Sequence, residues 1–173
     1  DQNAKVLQAA YSDDLADLRR LVKSGADVTK ANRYGVTALS LACQNGNAAM
    51  IQLLLEKGAD PNTVLNGNES VLLTASRTGN LASVKLLLEA GSKVNAKERS
   101  GQTALMWAAA EGQAEVIELL LNNGADASLK EVDGDTAESF ATKNGHTNVV
   151  AILQAAAPKK EKKQADFRRN IIH

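Results

Sequence analysis

The chain has 173 residues, of which 44% are apolar, 3% aromatic and 23% charged, with a formal net charge of zero. That is enough apolar sequence for one domain with a sizeable core, while balanced charge and scarce aromatics argue against a protein that binds nucleic acid through bulk attraction or base stacking. A lone cysteine, Cys43, excludes an internal disulfide and a cysteine zinc cluster, and no apolar run approaches the ~20 residues of a membrane span.

In chain order, residues 1 to about 32 read as an irregular first unit. From there the sequence returns on itself every 33 residues. Gly25, Gly58, Gly91 and Gly124 keep that interval, as do Gly46, Gly79, Gly112 and Gly145. Gly35, Gly101 and Gly134 keep it too, with Asn68 in the missing slot. Asparagine is the non-glycine residue that best tolerates positive φ, so Asn68 is expected to take the same backbone conformation as those glycines. Within each full unit, Thr37, Ser70, Thr103 and Thr136 stand where a helix N-cap belongs. A short apolar helix follows, with Ala42, Ala75, Ala108 and Ala141 in register, and stops at glycine. A second helix then runs through IQLLLEKGAD, VKLLLEAGSK and IELLLNNGAD to its own C-terminal glycine. Leu54, Leu87, Leu120 and Leu153 keep register there, as do Leu53, Leu86, Leu119 and Ile152. The ten or so remaining residues of each unit are rich in Gly, Asn and Asp and read as an exposed turn or hairpin.

This grammar predicts five units over residues 1–157: an atypical first one, three full ones to about residue 131, and a degraded last one. In the first, Ala9 and Leu21 keep register and Asp13 replaces a glycine; in the last, Glu138 replaces Leu39, Leu72 and Leu105. Both read as caps that face water. A unit this short cannot bury its own apolar face and must stack on its neighbours, which predicts an all-α solenoid of helix-turn-helix units with β-turn or hairpin loops. Residues 158–173 break the pattern. They carry six basic residues against two acidic ones, a net of about +4, and have Phe167 and Ile171 spaced as on a short helix.

The period of 33, the G-x-T-A-L of Gly101 to Leu105, the A-A-x-x-G ending at Gly112 and the L-L-L-x-x-G-A-D of Leu119 to Asp126 resemble the ankyrin repeat family over nearly the whole chain. The family's T-P-L-H appears as TALS, SVLL, TALM and TAES. Ser40, Leu73, Met106 and Ser139 therefore stand where the family has histidine, which implies that histidine's hydrogen bonds are absent or replaced and the loops less rigid. Asn62 and Asn95 occupy a column that is hydroxylated in some family members; a plain turn role is the expectation here.

No catalytic arrangement emerges. His146 follows Gly145 at the start of a second helix, His173 ends the chain, and Cys43 shares a column with Ser76, Ala109 and Thr142, where a small residue must pack. Asp133 and Asp135 flank Gly134 in a turn, without the longer series of ligands that calcium needs. The expectation is a non-enzyme with no cofactor and no metal. Trp107, in one column with Leu41, Thr74 and Phe140, is expected to pack between units rather than to act chemically.

The resemblance implies partner binding through the loop tips and the exposed side of the first helices. Carried over by column, the contact residues are Arg33, Tyr34, Val36, Gln44 and Asn45 in the second unit, then Asn66, Glu69, Arg77 and Thr78 in the third. In the fourth they are Arg99, Ser100, Gln102, Ala110 and Glu111. Tyr34, Arg77 and Arg99 are the residue types that anchor interfaces. The expected function is that of a monomeric protein-interaction module taking a protein or peptide ligand on a concave face, with no small-molecule substrate. Nucleic acid is not expected as a partner, nor a membrane except through the basic residues 158–173. The alternative is the recognition arm of a larger enzyme or redox protein whose catalytic domain follows ADFRRNIIH. A soluble protein is expected, cytoplasmic or, if an export signal was removed before Asp1, periplasmic.

Overall fold

The computed structural model describes residues 1–157; the expected basic extension lies outside them. Ten α-helices pair into five units. The first unit holds α1 (Gln2–Tyr11) and α2 (Leu15–Lys23), the second α3 (Ala38–Asn45) and α4 (Ala48–Glu56), and the third α5 (Val71–Thr78) and α6 (Leu81–Glu89). The fourth holds α7 (Ala104–Ala110) and α8 (Ala114–Asn122), and the fifth α9 (Ala137–Lys143) and α10 (Thr147–Ala156). Among the described residues β pairing is limited to one isolated bridge, Val64 to Ser70.

The local signals act as expected. Thr37, Ser70, Thr103 and Thr136 each accept the backbone N–H three residues on, capping α3, α5, α7 and α9. Asn68 has φ 63°, the conformation its glycine column requires, and Asp13 has φ 57° in the other. The histidine of the first-helix start is replaced in two ways. In the second and fifth units serine takes its place: Ser40 Oγ accepts from the Thr37 N–H and donates to the Thr37 carbonyl, and Ser139 Oγ accepts from the Thr136 N–H. In the third and fourth units Leu73 and Met106 turn the same position into core.

The first helices pack on one another more closely than the second helices do. The side chains give the reason. The first-helix layer meets through Ala42, Ala75 and Ala108 with Cys43, Ser76 and Ala109, all fully buried, whereas the second-helix layer is spaced by Leu54, Leu87 and Leu120. Small residues on one side and leucines on the other bend the stack, with the first helices on its inner side. The two leucine columns also separate: Leu54, Leu87, Leu120 and Leu153 are buried, while Leu53, Leu86, Leu119 and Ile152 are half-buried.

Polar side chains lock each unit to the next. Asn47 Nδ2 donates to Asp13, Asn80 Nδ2 to the Gly46 carbonyl, and Gln113 Nε2 to the Arg77 carbonyl; His146 Nε2 lies 3.0 Å from the Ala110 carbonyl. Asn62 and Asn95 each bridge to the following unit from both ends of the amide, Asn62 to the Gly91 carbonyl and Lys93 N–H, Asn95 to the Gly124 carbonyl and Asp126 N–H. Both amides are therefore committed to holding turns together.

Two buried hydroxyls have no such partner among the described residues, those of Ser76 and Ser83. A buried hydroxyl without a hydrogen bond costs stability. Ser76→Ala, which copies Ala109 one unit on, is expected to raise unfolding stability by about 0.5–1 kcal/mol. Urea denaturation with an unchanged slope checks it; a lower midpoint would show that the hydroxyl is bonded after all.

Candidate protein-binding face

The loop tips lie beyond the inner helix layer, and their shape is set by one position per unit. In the second unit Asn32 Oδ1 accepts the N–H groups of Tyr34 and Val36. In the fourth, Glu98 Oε1 accepts those of Ser100 and Gln102, and in the fifth Glu131 Oε1 accepts those of Asp133 and Asp135. Glu131 is buried in doing so. The third unit has Leu65 there, which cannot accept, and its tip winds instead into a 3-10 turn over Asn66–Asn68. Sequence reasoning missed this column, although an Asn or Glu at a fixed offset before the tip glycine was its visible signal.

The tips of the third, fourth and fifth units are joined edge to edge: Arg99 N–H donates to the Gly67 carbonyl at 2.8 Å and Val132 N–H to the Ser100 carbonyl at 2.9 Å. The corresponding bond from the third tip to the second is missing among the described residues. The second tip thus stands apart, with Tyr34 61% exposed and the Arg33 guanidinium 4.7 Å from its ring centroid. Between this tip and α1 lies an open groove of about 790 Å³ lined by Leu7, Tyr11, Tyr34, Val36 and Leu41.

A second focus forms around Trp107. Its indole N–H donates to Gln102 Oε1 at 2.6 Å, and the Arg77 guanidinium of the preceding unit lies 5.2 Å from its ring centroid. These residues, with Met106, Glu111 and Phe140, line a hollow of about 210 Å³. Trp107 is half-buried, so it packs between units as expected and also forms the floor beneath Arg77.

The structure therefore divides the expected contact residues into two groups. Arg33, Tyr34 and Val36 meet at the α1 groove, and Arg77, Gln102 and Glu111 meet at Trp107. Arg99 is exposed on the fourth tip and lines neither cavity. Gln44 and Asn66 are exposed without a side-chain partner among the described residues. Glu69 turns to its own helix and accepts from Thr74 Oγ1 at 2.6 Å. Asn45 is a tie between units, donating to the Ala10 carbonyl, and Thr78 bonds back to the Ala75 carbonyl. The Ser100 and Ala110 carbonyls accept from the fifth unit.

Burial pushes the Cys43 thiol up to about 12, so it stays protonated and packs as a small apolar group. Asp135 of the acidic turn hydrogen-bonds Lys143 and thereby raises the lysine above its ordinary value. No three of the described His, Cys, Asp and Glu residues are grouped as metal ligands. No described helix is long and apolar enough to cross a membrane.

The search of curated proteins returned no match to the chain. A family model for ankyrin repeats, described as three copies, matches residues 6–98 and again 91–164. Repeats of this kind generally mediate protein–protein interaction and are typically non-catalytic. With the helix pairs, the interval of 33 and the family match all in the same register, the chain belongs to the ankyrin repeat family.

Proposed function

We propose that residues 1–157 form a protein-binding module that acts as a monomer without a cofactor and takes a protein or peptide on the inner face and loop tips. The observation that carries this reading is the pair of arginine–aromatic stacks, Arg33 on Tyr34 and Arg77 on Trp107, each beside an apolar hollow. Aromatic and guanidinium groups are the side chains that gain most when a partner desolvates them. Arg33, Tyr34 and Arg77 are all exposed and contribute nothing to the core, whereas Trp107 packs between units and presents its face to Arg77.

The test begins with affinity capture on the wild-type chain and identification of what is retained. The triple variant Tyr34→Ala, Arg77→Ala, Arg99→Ala is then compared with it. Exposed substitutions cost within about 0.5 kcal/mol each, so the thermal midpoint is expected to stay nearly unchanged. Affinity for the captured partner is expected to fall by about tenfold or more. Unchanged affinity would place recognition elsewhere, on the second-helix side or in residues 158–173.

A further inference from the structure

The charges of the inner face are not equal in availability. Its carboxylates are largely spent on the fold: Glu98 and Glu131 hold their tips, Glu69 takes the Thr74 hydroxyl, and Asp135 is paired with Lys143. Its arginines are not. Arg33, Arg77 and Arg99 form no ion pair among the described residues. The columns they occupy read Arg33, Asn66, Arg99, Val132 and Gln44, Arg77, Ala110, Lys143, without a single acid. Glu111 and Asp133 are the exposed acids of this face that no described side chain engages, so the groups it offers lean to arginine, three against two.

Two of these arginines are also pre-positioned. A guanidinium drawn over a ring by the cation–π attraction loses freedom, and neither guanidinium here donates to another described group, so their N–H donors are left to pair with a carboxylate through two hydrogen bonds. Arg77 holds this position over Trp107 at the rim of the hollow that Met106 and Phe140 complete. Arg33 holds it over Tyr34 at the rim of the groove along α1. Each focus therefore offers a carboxylate site beside an apolar pocket. Glu111 lines the hollow at Arg77 as well and repels a second acid there, so a continuous polyanion is disfavoured.

Resting on the reading of this face as the binding surface, we infer that its ligand is an acidic peptide segment in which a carboxylate residue stands next to a large apolar one. The carboxylate pairs with Arg77 and the apolar side chain enters the Trp107–Phe140 hollow. A second acid in the same segment pairs with Arg33.

The experiment is selection of binders from a random peptide display library on the full chain, followed by affinity measurements with the selected peptides. Enrichment of Asp or Glu beside Leu, Met or Phe is expected. Replacing those acids by their amides, or Arg77 by Gln, is expected to weaken binding by about tenfold, the range of a lost charge-assisted hydrogen bond. Arg19→Gln, on α2 and away from the face, is expected to leave affinity unchanged, and equal thermal midpoints show that both variants fold. Binders without an excess of acids that still depend on Tyr34 and Trp107 would overturn the acidic assignment and leave the binding face standing. Binders indifferent to Tyr34→Ala and Arg77→Gln would overturn both. Displacement of the selected peptides by single-stranded DNA would assign the arginines to phosphate and overturn the peptide, and a selection that yields no binder would overturn it as well.

Discussion

Leu72→Glu is expected to cost more than about 4 kcal/mol, enough to unfold a marginal domain. The reverse change in the same column two units on, Glu138→Leu, is expected to stay within about 1 kcal/mol. The two residues occupy the same position of the repeat, so local helix propensity does not separate them. Leu72 is fully buried on α5, which packs between α3 and α7. A carboxylate there loses its water and gains no cation or donor in exchange. Glu138 lies in the first turn of α9 in the last described unit, is half-buried, and accepts a hydrogen bond from Gln154 Nε2 at 2.8 Å. Among the described residues, the difference between the sites is whether another unit packs on top. Urea denaturation of both variants measures it. Equal losses would mean that burial at this column does not come from stacking between units.

Gly112→Ala is expected to cost about 2–3 kcal/mol and Gly145→Ala about 1 kcal/mol. Both glycines end a first helix with φ near 70°, at 69° and 75°, so an alanine pays the left-handed penalty at either. At Gly112 a Cβ would also come within 2.6 Å of His146 Nδ1, whereas at Gly145 nothing lies within 4 Å. Swinging the imidazole aside would break its contact with the preceding unit, where its other nitrogen is 3.0 Å from the Ala110 carbonyl. The excess cost at Gly112 is thus a measure of the joint between the fourth and fifth units. Denaturation midpoints of the two single variants give it directly, and a difference of zero would show that the ring moves freely.

These contrasts show which parts of the molecule can be read from the chain. Stop and start signals act through a residue's own backbone or a hydrogen bond three positions away, so Thr37, Ser70, Thr103 and Thr136 were legible as caps and Asn68 as a left-handed turn residue. The interval of 33 was legible because every inner unit faces the same two neighbours and must present the same buried columns to them. At Glu138 and Asp13 the columns break, in the last and first described units.

The proposed binding face was legible only as a set of columns. Arg77 and Trp107 are 30 residues apart and belong to different units; their stacking depends on the distance between those units and on two rotamers. The same holds for Gln102 reaching the indole N–H and for the isolation of Tyr34 from the next tip. Availability of charge was equally hidden, because Glu98 and Arg99 are neighbours in sequence yet one is consumed by its loop and the other is exposed. The sequence by itself determined the helices, their caps, the repeat and therefore the fold, since each is enforced by contacts within a unit or repeated identically between units. Only the tertiary structure decided where Arg33 and Arg77 come to rest and which carboxylates remain free, because those outcomes depend on side-chain directions across a unit boundary, and nothing in the periodic pattern constrains them.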